Sequence, residues 1–279
     1  MKIILSRKGF DSQNGGYPNP ILPDGRLISL PIPSDDNIKY SNLSFEDETY
    51  FDIMKKLNKK IRYKNSWISL TEQTRCHFDP DLEESLLERE INWKPSFGQI
   101  NQAQSHLANQ GVKIDDLFLF FGWFKQTKFK SNGELEFEKL APDLHVIFGY
   151  LQIGEIIKLT KEDEVPTWMD YHPHTDRKRI VNPTNRIYIA RKSSNWNEAI
   201  TGAGTFYIND QLILTKEGYS RSKWDLPKIF RDVNISYHSA DSWKSDGYFK
   251  SVDKGQEFVV EDSKQIEHWA KRLIENTNQ

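Results

Sequence analysis

The chain has 279 residues, 37% hydrophobic and 28% charged, with a formal net charge of −2. It is long enough for one large domain or two small ones, and its slight acidity excludes a surface that tracks DNA phosphates throughout. Its single cysteine, Cys76, excludes an internal disulfide and a cysteine-based zinc site. No apolar run approaches membrane-spanning length and no signal-peptide pattern opens the chain, so a cytoplasmic protein is expected.

In chain order, the apolar run 1–5 predicts a buried strand. The stretch SRKGFDSQNGGYPNPILPDG follows at 6–25. It places Arg7, Lys8 and Asp11 where a strand ends, then Gly15-Gly16, then three prolines. Paired glycines allow close backbone approach to a ligand, and a charged loop after a strand is a common place for a site. The alternative is a structural loop that covers a sheet edge. Residues 26–32 alternate and predict a second strand. Ser44 is expected to cap a helix with Tyr50, Phe51, Met54, Leu57 and Ile61 on its buried face. A short helix is predicted from Asp81, and a longer one over 96–111.

The second half reads as β. Residues 117–124 predict an aromatic strand, Asn132-Gly133 a hairpin turn, and 144–148 and 150–159 two strands bent at Gly149 and Gly154. Shorter strands are predicted at 186–191, 204–208, 211–215, 234–238 and 257–260. Ile266, Trp269, Leu273 and Ile274 mark a terminal helix. The expected fold is one α+β domain over 1–279, with a curved, partly barrel-like mixed β core and flanking helices.

In HFDPD, His77, Asp79 and Asp81 alternate, which puts them on one side of an extended segment. That pattern suits a divalent metal or an acid–base pair; a capped turn before a helix also fits. His172, His174 and Asp176 repeat the spacing, but Arg177, Lys178 and Arg179 follow at once, which suits phosphate better than a cation. An exposed loop is the alternative. No metal is therefore assigned, and the sequence names no cofactor. His145 and His238 sit in strand candidates, where a hydrogen-bonded core histidine is the usual case. Gln256-Glu257 could read a base edge or close a turn. There is no P-loop, no G-x-G-x-x-G fingerprint and no nucleophile elbow.

Four stretches carry a family resemblance: SRKGFDSQNGG, CHFDPDL at 76–82, HVIFGYLQIGEI at 145–156, and WDLP, SYH and GQEFV between 224 and 259. Together they resemble the nucleotide modification associated domain 3 family of phages and bacteria. The resemblance spans nearly the whole chain and implies one domain acting in nucleotide or DNA base hypermodification; it names no reaction. Residues 117–159 are more weakly similar to PUA-like barrels, which implies a non-catalytic reader of a modified base instead. If the chain is an enzyme, Asp11, His77, Asp79 and His238 are the expected catalytic groups. Arg7, Lys8, Gly15, Gly16, Arg177, Trp224, Gln256 and Glu257 would then bind a nucleotide or base. If it is a reader, Trp123, Trp224 and Tyr237 would form an aromatic cage. Convergence separates the two: an enzyme should bring Asp11, His77 and His238 into one pocket.

Overall fold

In the computed structural model, which describes residues 1–253 and 255–277, the opening apolar run becomes strand β1, Ile3–Arg7. Eight further strands join it in the main sheet. They are β2 (Asn19–Ile21), β3 (Ser96–Gln99), β4 (Leu117–Phe129), β5 (Leu135–Phe137), β6 (Leu144–Ile157), β7 (Arg186–Ala190), β8 (Ala203–Thr205) and β9 (Glu257–Val260). The strand order is β9-β1-β4-β6-β7-β3, with β8 beside β6 and both β2 and β5 beside β4. β1 pairs parallel with β4, from Ile3↔Leu117 to Arg7↔Phe121, and antiparallel with β9. The fold is α+β, and the sheet is open rather than closed into a barrel: its path ends at β9 and β3.

The helices are α1 (Tyr50–Leu57), α2 (Asn101–Asn109), α3 (Arg177–Ile180) and α4 (Lys264–Thr277). α4 exists because Ile266, Ala270, Leu273 and Ile274 recur at helical spacing and bury one face against the sheet. The two strands expected at 144–159 are one long strand with a register shift between Ile147 and Gly149. Glycine sits at that bulge because a Cβ on Gly149 would lie 2.9 Å from the Gly204 carbonyl.

Other expectations are corrected. Residues 26–32 form no strand; Leu27 and Arg26 make only isolated bridges to Ile21 and Tyr207, and Asn19–Ile21 of the proline-rich loop takes the sheet edge instead. Thr49, not Ser44, caps α1, and Ile61 lies in a hairpin of Lys60–Tyr63 and Ser66–Ser69 beyond the helix. The helix predicted over 96–111 divides into β3 and α2. Phe97 accounts for this: its ring packs edge-on to Phe118 and Phe120, at centroid distances of 5.0 and 5.3 Å, from a strand paired with β7. Residues 211–212 lie in a 3-10 turn, Asp210–Leu212, Ile213 and Thr215 make isolated bridges to Val146 and Trp224, and 234–238 contribute a bridge from Ile235 to Val260.

The strand alternation gives the sheet two faces. On one, Phe97, Phe118 and Phe120 pack together, with the Lys8 ammonium 4.5 Å from the Phe97 ring centre. On the other, Phe121 packs against His145, Trp224 and Phe258, with Arg7 over the Phe121 and Phe258 rings. A second apolar core joins α1 to the N-terminal loop, Cys76 and Phe78. A third gathers Trp168, Met169, Ile180 and Ile187.

Candidate active site

Phe78 is 2% exposed and belongs to the second core, so the residues on either side of it, His77 and Asp79, turn the other way. Across from them runs the segment before α3. There Trp168 and Met169 anchor in the third core, and a 3-10 turn, Pro173–Thr175, presents His172 and His174. β3 lies between the two segments. The Gly98 N–H donates to Asp79 Oδ1 at 2.9 Å. A Cβ on Gly98 would lie 2.2 Å from the His174 ring, so only glycine lets that imidazole approach the strand.

Three imidazoles thus surround one buried carboxylate. His172 Nε2 is 3.4 Å from Asp79 Oδ1. His77 Nε2 and His174 Nε2 are 3.8 and 3.9 Å from Asp79 Oδ2. The far ring nitrogens are held as well. His77 Nδ1 lies 2.8 Å from Asp36 Oδ2, and Arg179 donates to both oxygens of Asp36 at 2.6 and 3.2 Å. His174 Nδ1 lies 2.7 Å from Asn185 Oδ1, whose amide donates to the His174 carbonyl. His172 Nδ1 accepts the His174 backbone N–H at 3.1 Å. Its buried Nε2 has no hydrogen-bond partner, since the contact to Asp79 is too long or too bent for one.

Burial opposes the charge on Asp79, but the imidazoles of His172, His174 and His77 outweigh it and hold the pKa at about 2. Burial pushes His174 down to about 3. At neutral pH the centre therefore holds an ionised carboxylate beside a neutral imidazole. His77, Asp79 and His174 are also, among the described residues, the one group of metal-binding side chains whose ligand atoms all lie within 4.8 Å of one another. Asp79 borders a small cavity of about 30 Å³, and the partly exposed His77 ring is the centre's side toward solvent.

The remaining expected site residues lie elsewhere. Asp11 caps its own turn, accepting from the Gln13 and Asn14 backbone N–H groups at 2.7 Å. With Arg7, Ser12 and Gln13 it lines a cavity of about 720 Å³ that also borders Trp123, His145 and Arg221. Arg7 and Asp11 of the N-terminal loop line this cavity rather than the one beside Asp79, to which the loop contributes Gly9. His238 spends both ring nitrogens on backbone, at Ser236 O and Val252 N, against Phe249 and Phe258. Asp11, His77 and His238 thus have three separate surroundings.

Lys8 pairs with the buried Glu257 at 2.8 Å, and Gln99 donates to the same oxygen. Arg7 donates to the Val252 and Asp253 carbonyls, and the Gln256 carbonyl accepts the Arg7 backbone N–H. Gly15 and Gly16 both have φ of +84°, and a Cβ on Gly15 would lie 2.1 Å from the Phe10 ring; packing explains the pair. Arg177 is exposed and pairs with Glu162. Trp224 is buried and donates to His145 Nδ1 at 2.9 Å. A larger hollow of about 1120 Å³ lies against α4, with none of the His77, Asp79, His172 or His174 side chains in its wall.

A model of the nucleotide modification associated domain 3 family matches residues 2–261. The chain belongs to this family. No curated protein and no solved structure matches it. Among the described residues, no helix is long and apolar enough to cross a membrane. His172 and His174 show in the sequence by their spacing, but the basic run behind them points to phosphate instead of a shared centre. Arg179 of that run holds Asp36. Asp36, Asn185 and Gly98 carry no local signal that points to the centre.

His145 supplies a prediction of its own. Burial, reinforced by Arg7, Arg221 and Lys250, keeps its pKa well below the ordinary histidine value. Above about pH 6.5 it is neutral both folded and unfolded; below that the unfolded chain takes a proton that the folded chain does not. Stability is then lost as pH falls, by up to about 1.4 kcal/mol per pH unit from this residue. Denaturant titrations from neutral pH downward should show a shallower loss in His145→Gln than in the wild type. Equal slopes would contradict the depressed pKa.

Proposed function

We propose that this chain is an enzyme that modifies a nucleotide or a DNA base, and that His77, Asp79, His172 and His174 carry its chemistry. The observation behind this reading is the aiming of three imidazole Nε2 atoms at one buried carboxylate from two distant segments. Buried polar groups normally find partners, and a cluster of titratable groups that converge without satisfying one another is the mark of a site rather than a core. The family's association with nucleotide modification supports a nucleotide or base as the substrate. In the centre, ionised Asp79 and the neutral ring of His174 present an oxygen and a nitrogen lone pair to one ligand.

The reader reading has less support. Trp224 is buried in the core, Tyr237 lies against His106 at 4.3 Å between ring centres, and Trp123 is covered by Arg221 at 4.1 Å. These three rings form no cage around one cavity; only Trp123 borders the hollow under the N-terminal loop. The test is mass spectrometry of nucleosides from the DNA and nucleotide pools of cells that express the protein. A mass-shifted base should appear with the wild type and fall by about 10²-fold or more in Asp79→Asn, the scale of a lost acid–base group. Product at the wild-type level from folded Asp79→Asn protein would move the chemistry elsewhere.

A further inference from the structure

The tautomers of the three imidazoles are fixed by their outer partners. Asp36 accepts from His77 Nδ1, so that nitrogen carries the proton and Nε2 presents a lone pair. Asn185 is oriented by its amide bond to the His174 carbonyl, which turns its oxygen toward His174 Nδ1; that nitrogen is also the donor. His172 is the reverse. Its Nδ1 accepts a backbone N–H, so Nε2 carries the proton and faces Asp79 Oδ1.

The result is two nitrogen lone pairs directed at a carboxylate oxygen inside the protein. Such an arrangement repels unless a cation lies between the groups. The distances agree. An imidazolium bound to Asp79 would close to about 2.7–2.9 Å, whereas the gaps are 3.8 and 3.9 Å. Two ligand atoms about 2.1 Å from one ion in tetrahedral geometry stand about 3.4 Å apart. All three ligand atoms lie within 4.8 Å of one another, so ring movements of about an ångström would bring them onto one ion. Asp36 and Asn185 stand where the outer partners of metal-binding histidines stand, fixing tautomer and ring plane.

We propose that His77 Nε2, His174 Nε2 and the Asp79 carboxylate together bind one divalent first-row transition-metal ion. His172 is not a ligand; its Nε2–H faces the carboxylate from the other side at 3.4 Å. Two imidazoles and one carboxylate select a transition metal over magnesium or calcium, which prefer oxygen. Three protein ligands leave positions open, the pattern of a working centre rather than a structural one. An ion there polarises a bound oxygen or activates a water. The proposal uses the same cluster as the proposed function, but its test does not depend on that function.

The test is titration of the chelator-stripped full chain, with Zn(II) by calorimetry and with Co(II) by visible absorption. One ion per chain is expected. Affinity should fall at least tenfold in His174→Ala and Asp79→Asn, and stay unchanged in His268→Ala, an exposed histidine on α4. His77→Gln, on the partly exposed rim, should show the same loss and guards against variants that fail to fold. Mg(II) at equal concentration should leave the Co(II) bands in place. No stoichiometric binding, binding that survives all three centre variants, or displacement by Mg(II) would overturn the assignment. An ion that binds as expected with no modified base in cells would overturn the proposed function and leave the metal site standing.

Discussion

Arg89→Ala is expected to cost about 3–5 kcal/mol of stability, the scale of a buried ion pair that loses one partner. Asp81 is fully buried, and Arg89 grips it with two parallel bonds of 2.9 and 2.7 Å. The same guanidinium donates to the Glu83 and Glu84 carbonyls and to the Tyr171 hydroxyl. Tyr171 and the Trp93 indole donate to Asp81 in turn. Burial raises the Asp81 pKa above the ordinary carboxylate value, and Arg89 is the largest influence opposing it. Without Arg89 the carboxyl must take a proton or remain charged and uncompensated. The network also joins the two histidine-bearing segments, since Asp81 lies two residues after Asp79 and Tyr171 one residue before His172. The melting temperature should fall by roughly 10 °C for a chain of this size. Arg89→Lys should lie between, because an ammonium keeps the charge and loses the fork. A loss below about 1 kcal/mol in Arg89→Ala would mean that the pair is solvated in solution.

The parts of the fold that show in the sequence are those whose period depends on burial alone. β1, β4, β6 and β9 are apolar runs, and α4 shows its inward face at helical spacing. β3 does not show, because Ser96-Phe97-Gly98-Gln99 leads straight into helix-favouring residues; the phenylalanines of β4 draw Phe97 into the sheet. The site divides in the same way. His77 and Asp79 show because Phe78 between them must be buried, and His172 and His174 repeat the spacing. What joins them is β3 and the Asp36–Arg179 pair, whose contacts lie 19 to 143 residues apart in the chain; Asn185, 11 residues from His174, orients that ring. Asp81 looked like a third member of the first trio, but its carboxylate turns to Arg89. Asp11 looked like a partner because charges at a strand end often converge on a site. Its carboxylate satisfies the backbone of its own turn, the ordinary local competitor of any longer-range role.

Gly98→Ala tests whether the centre is as tightly fitted as its geometry requires. The added methyl would lie 2.2 Å from His174 Cδ2, 2.3 Å from Cγ and 2.8 Å from Nε2. The imidazole has little room to yield: it is 2% exposed and tied to Asn185 through Nδ1. The strand cannot easily retreat, because β3 is paired with β7 from Ser96 to Gln99 and the Gly98 N–H is bonded to Asp79. Overpacking of this kind costs about 1–3 kcal/mol. If His174 swings away instead, the chain keeps more of its stability and loses the ligand. Both costs can be measured on one preparation, by denaturant unfolding and by Zn(II) titration. At least one should be large: a loss of about 1 kcal/mol or more in stability, or a tenfold or greater loss in metal affinity as expected for a displaced ligand shell. Substitution without either effect would mean that His174 has a second rotamer that still serves the site, and that the glycine is not what lets the ring reach Asp79.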